Sequence, residues 1–109
     1  MRRLFGVLFV FAMASVSDGA DEPLTKIAFG SCAQQENPLP IFPKIVAQKP
    51  QLYLALGDNI YADTQDLTLM KAKDDKMANN EGWKALVKTC PILATWDDHD
   101  MGKNDAGAE

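Results

Sequence analysis

Short apolar runs alternate with longer amphipathic stretches along most of the chain. Short continuous apolar runs are typical of strands buried in a parallel sheet. The runs that predict such strands are 26–32, 51–56 and 92–96. The stretches between them that predict helices are 42–48, 66–77 and 81–89. The resulting order is β-α-β-α-α-β, which is typical of an α/β domain with crossover helices.

Local signals support the helix predictions. Pro43 is tolerated in the first turn of a helix, and Asp66 is placed as an N-cap for the second one. In the third helix Trp83, Leu86 and Val87 follow the i, i+3, i+4 spacing of a single apolar face. The segment after Trp96 is acidic and rich in turn-forming residues, and we predict no regular element there.

The N-terminus has the composition of a secretory signal peptide. Arg2 and Arg3 precede an apolar run from Leu4 to Ala14, and small and polar residues follow at 15–20. The run is about half the length that a membrane span requires, so we expect export and no stable membrane anchor. Residues 1–20 would be removed, through Sec or twin-arginine export, and residues 25–109 would form the folded part. A buried apolar helix is the alternative.

Composition narrows the functional classes. The chain has 109 residues, a net charge of −4, two cysteines and one histidine. An acidic chain of this length is not a polybasic nucleic-acid binder, nor a disulfide-dense scaffold. With 47% apolar and 24% charged residues it has the balance of a folded domain. The oligomeric state is not indicated by the sequence.

Each predicted strand ends in residues that can ligate a metal. The three strand ends carry Gly30-Ser31-Cys32, then Gly57-Asp58-Asn59-Ile60-Tyr61, then Asp97-Asp98-His99-Asp100. Because ligands of parallel α/β sheets bind beyond the carboxyl ends of the strands, these side chains are expected to meet at one edge. The sequence therefore predicts a metal site there.

Each of these groups also has a simpler interpretation. Asp58 could only cap a turn, and the run 97–100 could be a solvated acidic loop. Cys32 could pair with Cys90 in an exported protein. In a parallel sheet, however, Cys32 would follow the end of its strand whereas Cys90 precedes the start of another, a separation of roughly 16 Å. His99 has carboxylates on both sides, and either could orient it as a general acid.

The motifs resemble those of PhoD-like alkaline phosphatases, a branch of the calcineurin-like metallophosphatases. The resemblance rests on Phe29-Gly30-Ser31-Cys32, on the segment from Leu56 to Asp63 and on the segment from Ala94 to Asp100, and it covers about 26–107. It implies part of a calcineurin-like layered α/β sandwich, with three strands and crossover helices. The Gly-Asp-x-x-Tyr element is shared with purple acid phosphatases.

The resemblance implies a binuclear or multinuclear centre with a ferric ion and calcium or another divalent ion. The implied metal ligands are Cys32, Asp58, Tyr61, Asp97 and Asp98, with the role of Asp97 ambiguous. His99 would stand near the leaving oxygen, with Asp100 as its orienting partner. The implied substrate is a small phosphate ester, either a monoester or a diester, attacked by a water that the metals activate.

One departure from the family concerns the number of ligands. Related enzymes complete the site with further histidines from later strands, whereas this chain has one histidine. We therefore expect the chain to be the N-terminal part of a longer phosphatase, weak or inactive by itself. The alternative is a non-catalytic exported protein that only binds metal.

Overall fold

The described part of the chain, residues 22–107 of the computed structural model, is an α/β unit with one parallel sheet. Its elements in chain order are β1 (Ile27–Gly30), α1 (Ile41–Ala47), β2 (Leu52–Leu56), α2 (Leu67–Ala78), α3 (Glu81–Thr89), β3 (Ile92–Thr95) and α4 (Asp98–Met101). The predicted order of strands and helices is confirmed, with α4 as an addition. The predicted signal peptide at 1–20 lies outside the described residues.

The sheet has the order β1-β2-β3, with every strand parallel to its neighbour. Tyr53 of β2 is level with Ala28 of β1 and with Ile92 of β3. Because all three chains run the same way, the loops that follow the strands meet at one edge. This register places the predicted ligand-bearing segments side by side.

The core lies between one face of the sheet and the helices. Tyr53 and Ala55 point from β2 into this core, where Phe42 of α1, Met77 of α2 and Leu86 of α3 are also buried. Trp83 packs at the border of the core, with its ring 5.5 Å from that of Phe42. Helix packing on this face fixes the position of the β2 end, where Asp58 stands.

The opposite face of the sheet is apolar and exposed within the described part of the chain. Ile27, Phe29, Leu56 and Leu93 alternate with the core-facing residues and are all exposed. We predicted buried strands, and within the described residues this holds for the helix-covered face and not for this one. The cause is that the crossover helices supply core partners for one face only.

The helix ends follow the predicted capping chemistry. Asp66 accepts hydrogen bonds from the backbone N–H groups of Thr68 at 2.8 Å and Leu69 at 3.2 Å, which confirms it as the N-cap of α2. Val87 does not lie on the buried apolar face of α3 that was predicted for it, since it is 51% exposed while Leu86 is fully buried.

No helix in the range 22–107 is both long and apolar enough to cross a membrane.

Candidate metal centre

Three side chains from the ends of β2 and β3 converge on one point. Asp58 follows β2, whereas Asp98 and His99 lie on the short helix α4 that follows β3. One potential ligand atom from each of Asp58, Asp98 and His99 lies within 4.8 Å of the other two. Carboxylate oxygens and an imidazole nitrogen are donors suited to several divalent and trivalent cations. We call these three residues the acidic–histidine cluster.

Asp58 is the buried member of this cluster. Its residue is 8% exposed, and its Oδ1 atom is buried without a hydrogen-bond partner. A carboxylate oxygen in that position loses its hydration without compensation, which is unfavourable unless a cation stands opposite it. The simpler interpretation, a turn cap, is not supported, because no backbone N–H within residues 22–107 donates to the side chain of Asp58, while the Ala33 N–H donates to its main-chain carbonyl at 2.9 Å.

Cys32 lies beside Asp58, at the end of β1. Its Sγ is 3.6 Å from Asp58 Oδ2, and its backbone N–H donates to the carbonyl of Gly57 at 3.2 Å. Both cysteines are free thiols, Cys32 exposed and Cys90 buried. The expectation that parallel strands keep them apart is therefore confirmed, and Cys32 is left facing the cluster.

Tyr61 stacks on the histidine of the cluster. Its ring centroid is 4.3 Å from that of His99, with an angle of 38° between the planes. Burial raises the pKa of Tyr61 to about 12, and the neighbouring Cys32, Asp58 and Asp63 act in the same direction. The phenol is therefore protonated at neutral pH, and ligation through its oxygen would require a cation that displaces the proton.

His99 is held by a carboxylate that the sequence analysis did not single out. Asp63 Oδ1 lies 2.6 Å from Nδ1 of His99, and this hydrogen bond is the main reason that the pKa of His99 is raised. The carbonyl of His99 also accepts a hydrogen bond from the backbone N–H of Ala62 at 3.0 Å. Because Nδ1 is engaged, Nε2 is the ring atom left for a ligand or for proton transfer.

Asp100 does not orient His99, contrary to the expectation from the resemblance. Its Oδ1 accepts hydrogen bonds from the backbone N–H groups of Asn59 at 2.7 Å and Ile60 at 3.0 Å. Its Oδ2 accepts from Asn59 Nδ2 at 3.2 Å and from the backbone of Asp97 at 3.0 Å. Asp100 thus ties the loop after β2 to α4, and its oxygens are occupied by amides.

Asp97 and Asp98 have different roles despite being neighbours. Asp97 is the N-cap of α4 and forms a capping box with Asp100, so part of its hydrogen-bonding capacity serves the helix. Asp98 accepts a hydrogen bond from the backbone of Asp105, which holds the pKa of Asp98 below its usual range. Asp98 is therefore an ionised carboxylate in the acidic–histidine cluster, while Asp97 lies outside the cluster and caps α4.

The sequence-predicted ligands are thus only partly brought together. Asp58, Asp98 and Tyr61 lie beside His99, and Cys32 contacts Asp58, whereas Asp97 and Asp100 bond the backbone of the surrounding loop and helix. No motif in the sequence pointed to Asp63, because its hydrogen bond to His99 depends on how the loop after β2 folds over α4. Its backbone φ of 51° is in the left-handed region, as are those of Cys32 at 58° and Asp58 at 49°. Such conformations often occur at functional sites.

Comparisons with protein-family models, with curated proteins and with solved structures give no match for this chain. What the chain does must therefore be inferred from its own residues.

Proposed function

We propose that this chain carries the metal-binding part of a phosphatase of the PhoD-like type, which hydrolyses phosphate esters at a centre of two or more metals. The proposal is supported by three motifs in the right order and by the meeting of Cys32, Asp58, Tyr61, Asp98 and His99 beyond the strand ends. Export of the chain through the segment 1–20 belongs to the same proposal.

The single observation that supports a metal most strongly is the unpartnered oxygen of Asp58. Oδ1 is buried and has no hydrogen bond in the described part of the chain, and one carboxylate oxygen of Asp58 lies within 4.8 Å of ligand atoms of Asp98 and His99. A cation at this point would satisfy Oδ1 and offset the repulsion between the two carboxylates. The residues present therefore fit a hard metal ion, with the thiol of Cys32 as a softer ligand on the β1 side.

Asp58 and His99 would have different roles in the reaction. Asp58 Oδ2 lies 3.6 Å from Cys32 Sγ and its Oδ1 is buried without a partner, so the Asp58 carboxylate would hold metal together with its neighbours. Ions bound there would supply charge neutralisation for a phosphoryl group and acidify a water. His99, fixed through Nδ1 by Asp63, would present Nε2–H to the departing oxygen. This explains how a chain with a net charge of −4 could attract an anionic substrate.

Metal content is the first test. The purified chain would be equilibrated separately with ferric, calcium, zinc and manganese ions, and bound metal would be measured by mass spectrometry after desalting. We expect stoichiometric binding whose affinity falls at least tenfold in Asp58→Asn. Replacing even a residue that only hydrogen-bonds a metal ligand typically lowers metal affinity by that factor. Asp75→Asn on exposed α2 is the matched control and should bind as the unmodified chain does. Equal metal content in both variants would overturn the proposal.

Hydrolysis is the second test. The metal-loaded chain would be assayed with a nitrophenyl monoester and a nitrophenyl diester of phosphate. Release of nitrophenol that depends on both Asp58 and His99 supports the phosphatase. Because the chain by itself is expected to be weak or inactive, the alternative, an exported protein that binds metal without catalysis, is favoured only if the metal-loaded chain shows neither release nor binding of inorganic phosphate by calorimetry. N-terminal sequencing of the secreted product would test export, with a start between residues 18 and 21 expected.

A further inference from the structure

A groove lies between the first turns of α2 and Trp96, the residue that follows β3. Its volume is about 450 Å³. The residues that form its walls and inner end include Leu67, Met70, Lys71, Trp96, Asn59 and Asp100. Its size is within the range of pockets that bind small organic molecules.

The outer walls of the groove are apolar and exposed. Trp96 is 75% exposed and Leu67 is 76% exposed, although both have large apolar side chains. Met70 also lines the groove and is half-buried. These large apolar side chains suit a flat apolar or aromatic group.

The inner end of the groove adjoins the acidic–histidine cluster. Asn59 follows Asp58 in the chain, and Asp100 follows His99. Asn59 Nδ2 donates to Asp100 Oδ2 at 3.2 Å, and both residues line the groove. Two residues that line the groove are therefore the chain neighbours of two cluster residues, Asp58 and His99. A phosphate ester held at the cluster would have the groove within reach of its organic part.

We propose that this groove binds the organic part of the substrate, so that the preferred substrates are phosphate esters of aromatic or other flat apolar alcohols. The inference rests on the proposed function. In the reaction the bond between phosphorus and the ester oxygen breaks, water adds its oxygen to phosphorus, and a proton goes to the alcohol, which leaves through the groove. Trp96 and Leu67 are then specificity-determining residues.

Binding can be tested without hydrolysis. Phenol would be titrated into the nitrogen-15-labelled full chain, with and without metal, while the indole N–H signals of its two tryptophans are followed by NMR. We expect the Trp96 signal to shift and the Trp83 signal, from the core border, to stay in place. Leu67→Ala should weaken phenol binding about fivefold, as lost apolar contact of this size predicts. Val87→Ala, an exposed apolar change on α3, is the control. An unmoved Trp96 signal would overturn the proposal.

Specificity provides the second readout. For the metal-loaded chain, the ratio of kcat/KM for phenyl phosphate to that for methyl phosphate should fall about tenfold in Trp96→Ala. Hydrolysis with no aryl preference would overturn the groove proposal and leave the phosphatase intact. Phenol binding at Trp96 that neither inorganic phosphate nor bound metal changes, with no hydrolysis of any ester, would overturn the leaving-group role, because the groove would then act independently of the cluster.

Discussion

Asp63 Oδ1 and His99 Nδ1 are 2.6 Å apart, although 36 positions separate the two residues in the chain. Asp63 belongs to the loop after β2, and His99 belongs to α4 after β3. A backbone hydrogen bond from the Ala62 N–H to the His99 carbonyl joins the same loop and helix. The imidazole is thereby fixed in one orientation, with Nε2 as its free nitrogen.

This pairing predicts how His99 titrates. The contact with Asp63 raises the pKa of His99 above its usual value near 6.5. Asp63→Asn should lower that pKa, because an amide does not stabilise the imidazolium as a carboxylate does. The chain has one histidine, so a proton NMR titration of the metal-free protein reports on His99 alone. Asp75→Asn should leave the titration unchanged.

The same shift has a consequence for stability against pH. Since the folded-state pKa is raised, the pairing stabilises the fold fully below the unfolded pKa of about 6.5. The contribution disappears as pH rises through the folded-state pKa of His99. Urea midpoints of the metal-free chain and of Asp63→Asn should therefore differ most in mild acid and converge in alkali. If the difference in urea midpoint stayed constant from mild acid to alkali, the Asp63–His99 pair would not be the source of the pH dependence.

The two cysteines should differ in reactivity. Cys32 is exposed at the end of β1, while Cys90 is buried before β3, where burial raises the pKa of its thiol. Since the thiolate is the reacting form, iodoacetamide should modify Cys32 first and Cys90 only slowly. Mass spectrometry of the digested protein at successive times measures both rates. Equal rates under native conditions would contradict the structure, and equal rates in denaturant are the control.

Leu86 and Val87 provide a matched test of the core. Leu86 of α3 is fully buried, whereas its neighbour Val87 is 51% exposed. Leu86→Ala should reduce the free energy of unfolding by about 3 kcal/mol, the usual loss for a buried leucine. Val87→Ala should change it by less than about 1 kcal/mol, since alanine also favours the helix. Urea denaturation followed by circular dichroism measures both. A similar loss in the two variants would show that α3 does not pack through Leu86.

Much of the element order could be predicted because it depends on local signals. α3 begins and ends at Glu81 and Thr89 as predicted, since Asn80 caps it and Pro91 stops it. β1 ends before Ser31 and Cys32, which the apolar pattern had included. The reason is that Cys32 adopts φ 58°, a left-handed conformation that no strand pattern signals.

The site was predictable in its location but not in its hydrogen bonds. Parallel strand ends meet at one edge, so Cys32, Asp58 and His99 could be expected together from sequence. The partner of His99 could not, since Asp100 is adjacent in the chain yet its oxygens bond Asn59 and Ile60. Asp63 reaches His99 only because the loop after β2 turns over α4, which is a property of tertiary structure.

Gly57 joins the fold to the site, and a substitution there should disturb both. Its φ of 101° is unfavourable for other residues. A Cβ at this position would lie 2.8 Å from the Cβ of Asp97, the residue that begins α4. Gly57→Ala should therefore reduce the free energy of unfolding by about 1–3 kcal/mol. It should also displace Asp98 and His99 and weaken metal binding about tenfold or more.

The matched control is Gly107→Ala, because a Cβ added there meets no atom within 4 Å. Urea denaturation and calorimetric metal titration of both variants separate the two effects, since the first reports on the fold and the second on the site. Gly107→Ala should behave as the unmodified chain in both measurements. If Gly57→Ala kept full stability and full metal affinity, the close packing of the β2 end against α4, on which the acidic–histidine cluster depends, would be wrong.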